Sequence, residues 1–135
     1  MSIKAAIYAL VTEHAGAKAI LDTRIYPQRA PSGTPLPYAV YHRISPERQY
    51  HLGGFAGCTR ELIQVDAWAD TPAEAEAMAD ALIDAMEVQQ VQAGGILIES
   101  IELQSQRDTD QDPQDGRDLP VFGSSLDFRI WHKTL

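Results

Sequence analysis

The sequence predicts an α+β fold: a four-stranded, mainly antiparallel twisted sheet with helices packed on one face. Three observations predict it. Two segments place apolar residues along a single helical stripe, Ile3, Ala6, Ile7, Leu10 and Val11 in one and Ala75, Met78, Ala79, Leu82 and Met86 in the other. Four further segments alternate apolar and polar residues, or nearly so, with the period of a strand. A helix with one apolar stripe must bury it, and the apolar row of a sheet is the natural cover. At 135 residues the chain reads as one domain, 1–135, of a size that buries roughly two-thirds of its unfolded surface without staples.

Taken in order, Ser2 can cap the first helix, predicted within 3–21. Gly16 interrupts that stretch, and Ala17 to Leu21 offers a short second helical piece. Pro27, Pro31, Pro35 and Pro37 then make a stiff, non-helical arm, because each fixes its own φ and biases the residue before it. The arm looks suited to positioning rather than chemistry. Strand one follows over Tyr38 to Ser45, alternating Tyr38, Val40, His42 and Ile44 with Ala39, Tyr41, Arg43 and Ser45. Gln49 to Gly57, with its Gly53-Gly54 pair, reads as a long flexible loop.

Strand two, Glu61 to Ala69, puts Ile63, Val65 and Ala67 on one face and Gln64, Asp66 and Trp68 on the other. Thr71, Pro72 and Glu74 form a capping box with proline at the first helical position, opening a helix over 72–88. Gly94-Gly95 introduces strand three, Ile96 to Ser105. Its apolar phase slips between Ile98 and Ile101, which predicts a bulge near Glu99. A polar, Asp-rich loop spans Arg107 to Asp118. Strand four, Val121 to Lys133, faces Leu126, Phe128 and Ile130 one way and Asp127, Arg129 and Trp131 the other. The second face of the sheet thus mixes polar groups with two tryptophans. Either it contacts another subunit, or the tryptophans wrap onto the sheet edge as satellite core.

Composition and motifs narrow the function. The single cysteine, Cys58, excludes an internal disulfide and a cysteine zinc cage, and reads as a small hydrophobe. No signal peptide or membrane-length apolar run is evident, so a soluble protein of a reducing cytoplasm is the default expectation. A net charge of −8 argues against general nucleic-acid binding, which needs clustered Lys and Arg. His14, His42, His51 and His132 have no metal-ligand spacing, Ser124 and Ser125 lack a GxSxG elbow, and no P-loop or GxGxxG occurs. Asp108, Asp110 and Asp112 begin like a calcium loop, but Pro113 stands at the turn-glycine position and Leu119 at the bidentate position. No enzyme, cofactor or metal centre is expected. The alternative to a solvated acidic loop is weak divalent-ion binding.

The order DTRIYPQRAPSGTPLPYAVYHRIS, ELIQVDAWADTPAEAEAMADAL and SLDFRIWHK resembles the tail-completion, or tail-terminator, proteins of long-tailed bacteriophages and gene transfer agents over nearly the whole chain. Departures fall mainly in 46–60 and 105–120. The resemblance implies a virion structural protein: a ring, six subunits when assembled, at the head-proximal end of the tail. Such a ring ends tail polymerisation and gives the head–tail connector a surface to dock on. Its implied partners are further copies of itself, the tail tube protein and the connector. DNA would pass through without specific binding, and no membrane is involved. Ring closure needs two unlike patches meeting head to tail. Candidate contact residues are Tyr26, Pro27, Arg29 and Pro35 in the arm, Arg48, Tyr50 and Phe55 in the 46–60 segment, and Trp68, Arg129 and Trp131 on the sheet. Asp108, Asp110, Asp112, Asp115 and Asp118 are candidates for a rim or channel loop, since like charge keeps phosphate from adsorbing. Two rival readings are a non-viral binding or regulatory module of the same layout, and a small hydrolase assembled from His42, His132 and Asp127.

Overall fold

The computed structural model describes residues 2–51, 54–111 and 120–134, with side chains described except at 49–51, 55, 56, 111 and 134. Its elements are α1 (Ile3–Glu13), α2 (Ala15–Leu21), β1 (Ile25–Pro27), β2 (Tyr38–His51), β3 (Gly54–Ala69), α3 (Pro72–Met86), β4 (Gln89–Ala93), β5 (Ile96–Gln111) and β6 (Val121–Thr134). Among the described residues the sheet is six-stranded, in the order β1-β2-β3-β6-β5-β4. The α+β class stands, but the expected four strands are corrected to six. The two extra strands are short and lie at the edges. β1 takes Ile25, Tyr26 and Pro27 from the proline arm and pairs parallel with Ala39, Val40 and Tyr41. β4, Gln-Gln-Val-Gln-Ala, pairs antiparallel with the start of β5. Three residues, and a strand with one branched apolar side chain, show no readable alternation.

Two segments read as loops prove to be strand extensions. β2 and β3 continue their antiparallel ladder to Tyr50↔Phe55 and His51↔Gly54, across most of the expected 49–57 loop. β5 runs on to Gln111, paired with Val121, so Arg107 to Gln111 belong to the sheet and not to a loop. Cross-strand pairing holds such polar residues in strand form where alternation alone gives no signal. The expected bulge is present, with a register shift between Ile98 and Ser100.

The helical stretch 3–21 divides at His14 rather than at Gly16. His14 adopts an extended conformation, and its Nδ1 accepts from the Ala17 N–H at 3.1 Å, capping α2. Ser2 caps α1 by accepting from Ala5 N–H, and Thr71 caps α3 by accepting from Glu74 N–H, each at 3.1 Å. All three helices cover one face. Ile3, Ile7, Leu21, Met78, Leu82 and Met86 pack on Ile63, Val65, Ile98, Leu126, Phe128 and Ile130 in one buried cluster. At the β4–β5 turn, Gly94 lies so close to α1 that an added Cβ would stand 2.4 Å from the Ala6 nitrogen. Arg24 ties the far end of the proline arm to α2, donating to Pro37 O at 2.8 Å and to Ile20 O at 3.2 Å.

Candidate interaction surface

Strand alternation decides what the helix-free face of the sheet presents. On β3 it carries Arg60, Leu62, Gln64, Asp66 and Trp68, opposite Trp131, Arg129, Asp127, Ser125 and Gly123 of β6. On β5 the aligned residues are Ser100, Glu102, Ser105 and Arg107. Gly123 is required here. A Cβ at that position would meet Ala67 O at 2.6 Å and the Trp68 ring at 2.7 Å, so its absence lets the indole lie flat over β6. At the other end of the face the Arg60 guanidinium sits 5.5 Å from the Trp131 ring centroid and pairs with Glu47 at 2.7 Å. Both tryptophans are half-buried. Each packs on its own sheet and still shows part of its ring.

Between the tryptophans lies a polar network that sequence reading missed. Arg107 Nη1 donates to Asp127 Oδ2 at 2.8 Å, and Nη2 donates to Ser125 Oγ at 3.1 Å. The Ser125 hydroxyl passes the chain on to Asp66 Oδ1 at 2.7 Å, which also accepts from Gln64 Nε2 at 3.0 Å. Ser105 Oγ donates to Asp127 Oδ2 at 2.6 Å. The hydrogen bond from Arg107 holds the Asp127 carboxyl below its ordinary value; partial burial opposes the shift and Ser105 adds to it. The network ties three strands together on a face that no helix covers among the described residues. Alternation in strand four gave the faces correctly, but Arg107 stood inside what read as a loop, and nothing local marked it as a hub.

On the opposite face, Glu61 is 2% exposed and takes Arg43 Nη2 at 2.9 Å on Oε1. His132 Nε2 stands 3.6 Å from the same oxygen, too far for a hydrogen bond, and neither Glu61 Oε2 nor His132 Nε2 has a hydrogen-bond partner among the described residues. Glu61 occupies the first place in the inward row Glu61, Ile63, Val65, Ala67, a charge in an apolar alternation that could have flagged it. The proposed hydrolase residues do not converge. Asp127 and His42 lie on the helix-free face and His132 on the other. Burial, with Glu99 adding to it and Lys133 opposing, raises the Cys58 thiol and so disfavours its thiolate.

The remaining candidates fall into separate places. Tyr26 and Pro27 form the β1 edge, with Arg29 and Pro35 exposed in the arm beside it. Arg48 is exposed on the β2–β3 hairpin, where Tyr50 and Phe55 are paired through their backbones and their side chains lie outside the described residues. Trp68, Arg129 and Trp131 share the helix-free face. Asp108 and Asp110 lie on β5 and line a groove of about 810 Å³ with Pro72, Ala73, Glu76 and Phe122. Asp112, the third carboxylate of the calcium-like pattern, lies outside the described residues, as do Asp115 and Asp118. Among the described residues no group of three or more His, Cys, Asp or Glu is placed to hold a metal ion, and no helix is long and apolar enough to cross a membrane.

Known proteins share the family and the fold of this chain. No curated protein matches the chain. Among solved structures, a chain from the virion of a native gene transfer agent particle shares the fold, with a TM-score of 0.73 and 18% identity over 98% of this chain and 95% of that one. A second solved chain gives a TM-score of 0.52 and 21% identity, covering 96% of each. The family described as Tail completion protein gp17 matches residues 5–133. The chain therefore belongs to the tail completion protein gp17 family and is a structural protein of the virion tail.

Proposed function

We propose that this protein closes the head-proximal end of the tail tube as a ring of six copies, stops tube growth and offers the head connector its docking surface. The family match over 5–133 supports this most strongly. The build of the domain agrees with it. One sheet face is left without helices and is braced by the Arg107–Asp127–Ser125–Asp66 network, so it is rigid, half-polar and edged by two aromatics. A rigid polar face suits reversible assembly from soluble copies better than a wholly apolar one. The role needs no catalysis: the protein acts by shape. Negative-stain microscopy of particles assembled without this chain tests the proposal. Overlong tails, or tails without heads, are expected. Tails of normal length joined to heads would refute it.

A further inference from the structure

Charge is segregated along the chain. From Glu61 to Gln106 there are ten Asp and Glu and no Lys or Arg, whereas Thr23 to Pro46 holds Arg24, Arg29 and Arg43 and no Asp or Glu. Two of those arginines are already engaged, Arg24 with backbone carbonyls and Arg43 with Glu61. Arg29 is exposed in the proline arm and has no side-chain partner among the described residues. The acidic side opens into a groove. α3 packs over β3 and β6, and beside it Glu76, Asp108 and Asp110 wall a groove whose lining includes Ala73, Ala75 and Phe122. Among the described residues these three carboxylates have no ion pair, and no cation stands in the lining.

Arm and groove lie at one level on opposite sides of the sheet. A cross-strand row runs through successive ladders from Ile25 to Ala39, Ala67, Ser124 and Asp108. The first four are buried, and Asp108 is exposed where the row ends in the groove. From β1 to β5 is four strand spacings, roughly 19 Å. The arm cannot cross that gap within one copy. Gln28 N–H donates to Tyr41 O, and Pro37 O accepts from Arg24, so both ends of the arm are pinned beside β2. Residues 29–36 between them, running out and back, reach at most roughly 14 Å.

We infer that the proline arm of one copy docks in the groove between α3 and β5 of the next, with Arg29 among Glu76, Asp108 and Asp110 and Pro31 against Phe122. The inference rests on the ring reading and supplies its two unlike patches. Copies set side by side with their strands at a common level bring the β1 side of one to the β5 side of the next. The row that ends at Asp108 then meets the neighbouring arm. Such a contact is heterologous, and repeated it closes a ring or extends as a filament. Pro27, Pro31 and Pro35 are exposed and fix their own φ, so docking orders little that is not already ordered. Proline-rich segments seat readily against aromatic side chains, and the guanidinium supplies the cation the walls lack.

Sedimentation velocity of the full chain in low-salt buffer, over rising concentration, tests the contact. Arg29→Glu disables the arm, and Asp108→Arg combined with Asp110→Arg disables the groove. All three positions are exposed, so urea melts should match the wild type. The wild type is expected to associate, and each variant to do so at least about tenfold more weakly. The chain carrying all three substitutions should recover most of that loss, because the signs are exchanged on both sides. Asp84→Arg combined with Glu87→Arg makes the same change in net charge at the far end of α3 and should leave association unchanged. A wild type monomeric throughout, a control as weak as the groove variant, or no recovery in the triple variant would each overturn the contact. Weakening by the groove substitutions without weakening by Arg29→Glu would overturn it in favour of another occupant of the groove. Rings that persist in both variants would refute this contact and leave the tail-closing reading standing. Normal tails in particles lacking the chain would refute that reading, whether or not copies dock.

Discussion

Substituting Gly94 by alanine isolates how α1 is seated on the sheet. Gly94 has φ of 59°, in the left-handed region, where an L-residue costs about 1–2 kcal/mol. Its missing Cβ would also stand 2.4 Å from Ala6 N, 2.8 Å from Ala6 Cα and 2.9 Å from Ala5 C. These are backbone atoms of the first turn of α1, and that turn is held by the Ser2 N–H donating to Gly94 O at 3.1 Å. No side-chain rotation relieves the clash, so the helix must move away from the core that Ile3 and Ile7 fill. Overpacking of this kind adds about 1–3 kcal/mol, for a total of roughly 2–5 kcal/mol. Gly33 is the matched control: its φ is 82° and nothing lies within 4 Å of the built Cβ. Gly33→Ala therefore carries the backbone term alone, about 1–2 kcal/mol. In urea, with a slope of about 1–3 kcal/mol/M, Gly94→Ala should lower the midpoint by roughly 1–2 M and Gly33→Ala by well under that. Equal midpoints for the two variants would refute the seating of α1 against the β4–β5 turn.

Three further outcomes are expected. Thr71→Ala should destabilise by about 1 kcal/mol through loss of the bond to Glu74 N–H, and Leu82→Ala by roughly 2–5 kcal/mol through the cavity it leaves; urea melts that reverse the order would refute the buried face of α3. Asp127 has a folded value depressed below 3.8, so its contribution to stability is present above that pH and lost as pH falls through the depressed value. Acid titrations followed by circular dichroism should show Asp127→Asn and Arg107→Ala with less steep acid unfolding than the wild type, and an unchanged acid limb would count against the pairing. Replacing residues 112–120 by Asn-Gly should hold or raise the thermal midpoint while joining of tails to heads falls, because the shorter turn lowers loop-closure cost. Extending the deletion to Arg107 should lower the midpoint, and unchanged particle yield from the shorter replacement would leave the segment without an assembly role.

What the sequence made legible was whatever is repeated. The inward rows of β3 and β6, the face of α3 and its Thr71-Pro72-Glu74 start are periodic or capped, and all appear where the pattern puts them. The phase slip in strand three located its bulge for the same reason. What stayed hidden depends on neighbours distant in sequence. β1 and β4 are strands only because β2 and β5 offer ladders to them. The polar tips of β2 and β5 are ordered by cross-strand pairing, which a composition rich in Gly, Asp and Gln masks. Arg107 meets Ser125 and Asp127 across eighteen and twenty residues of chain, and only the β5–β6 register brings them together.

The free edges of the sheet limit how copies can join. The β1 ladder ends at Tyr41, and the β4 ladder reaches only Ser100 of β5, so the far halves of β2 and β5 have no outer neighbour among the described residues. Long unpaired edges would ordinarily invite strand addition from another copy and open-ended aggregation. Both are interrupted. A register shift lies between Arg43 and Ser45 on one and between Leu103 and Ser105 on the other. Pro46 follows the first shift and removes a donor, while Glu47, Arg48, Glu102, Asp108 and Asp110 set charges along the edges. Backbone pairing between copies is thus disfavoured at the two places where it would otherwise be easiest. A contact between copies is thereby left to side chains, which confer what a ladder cannot: a fixed orientation and a match of shape and charge.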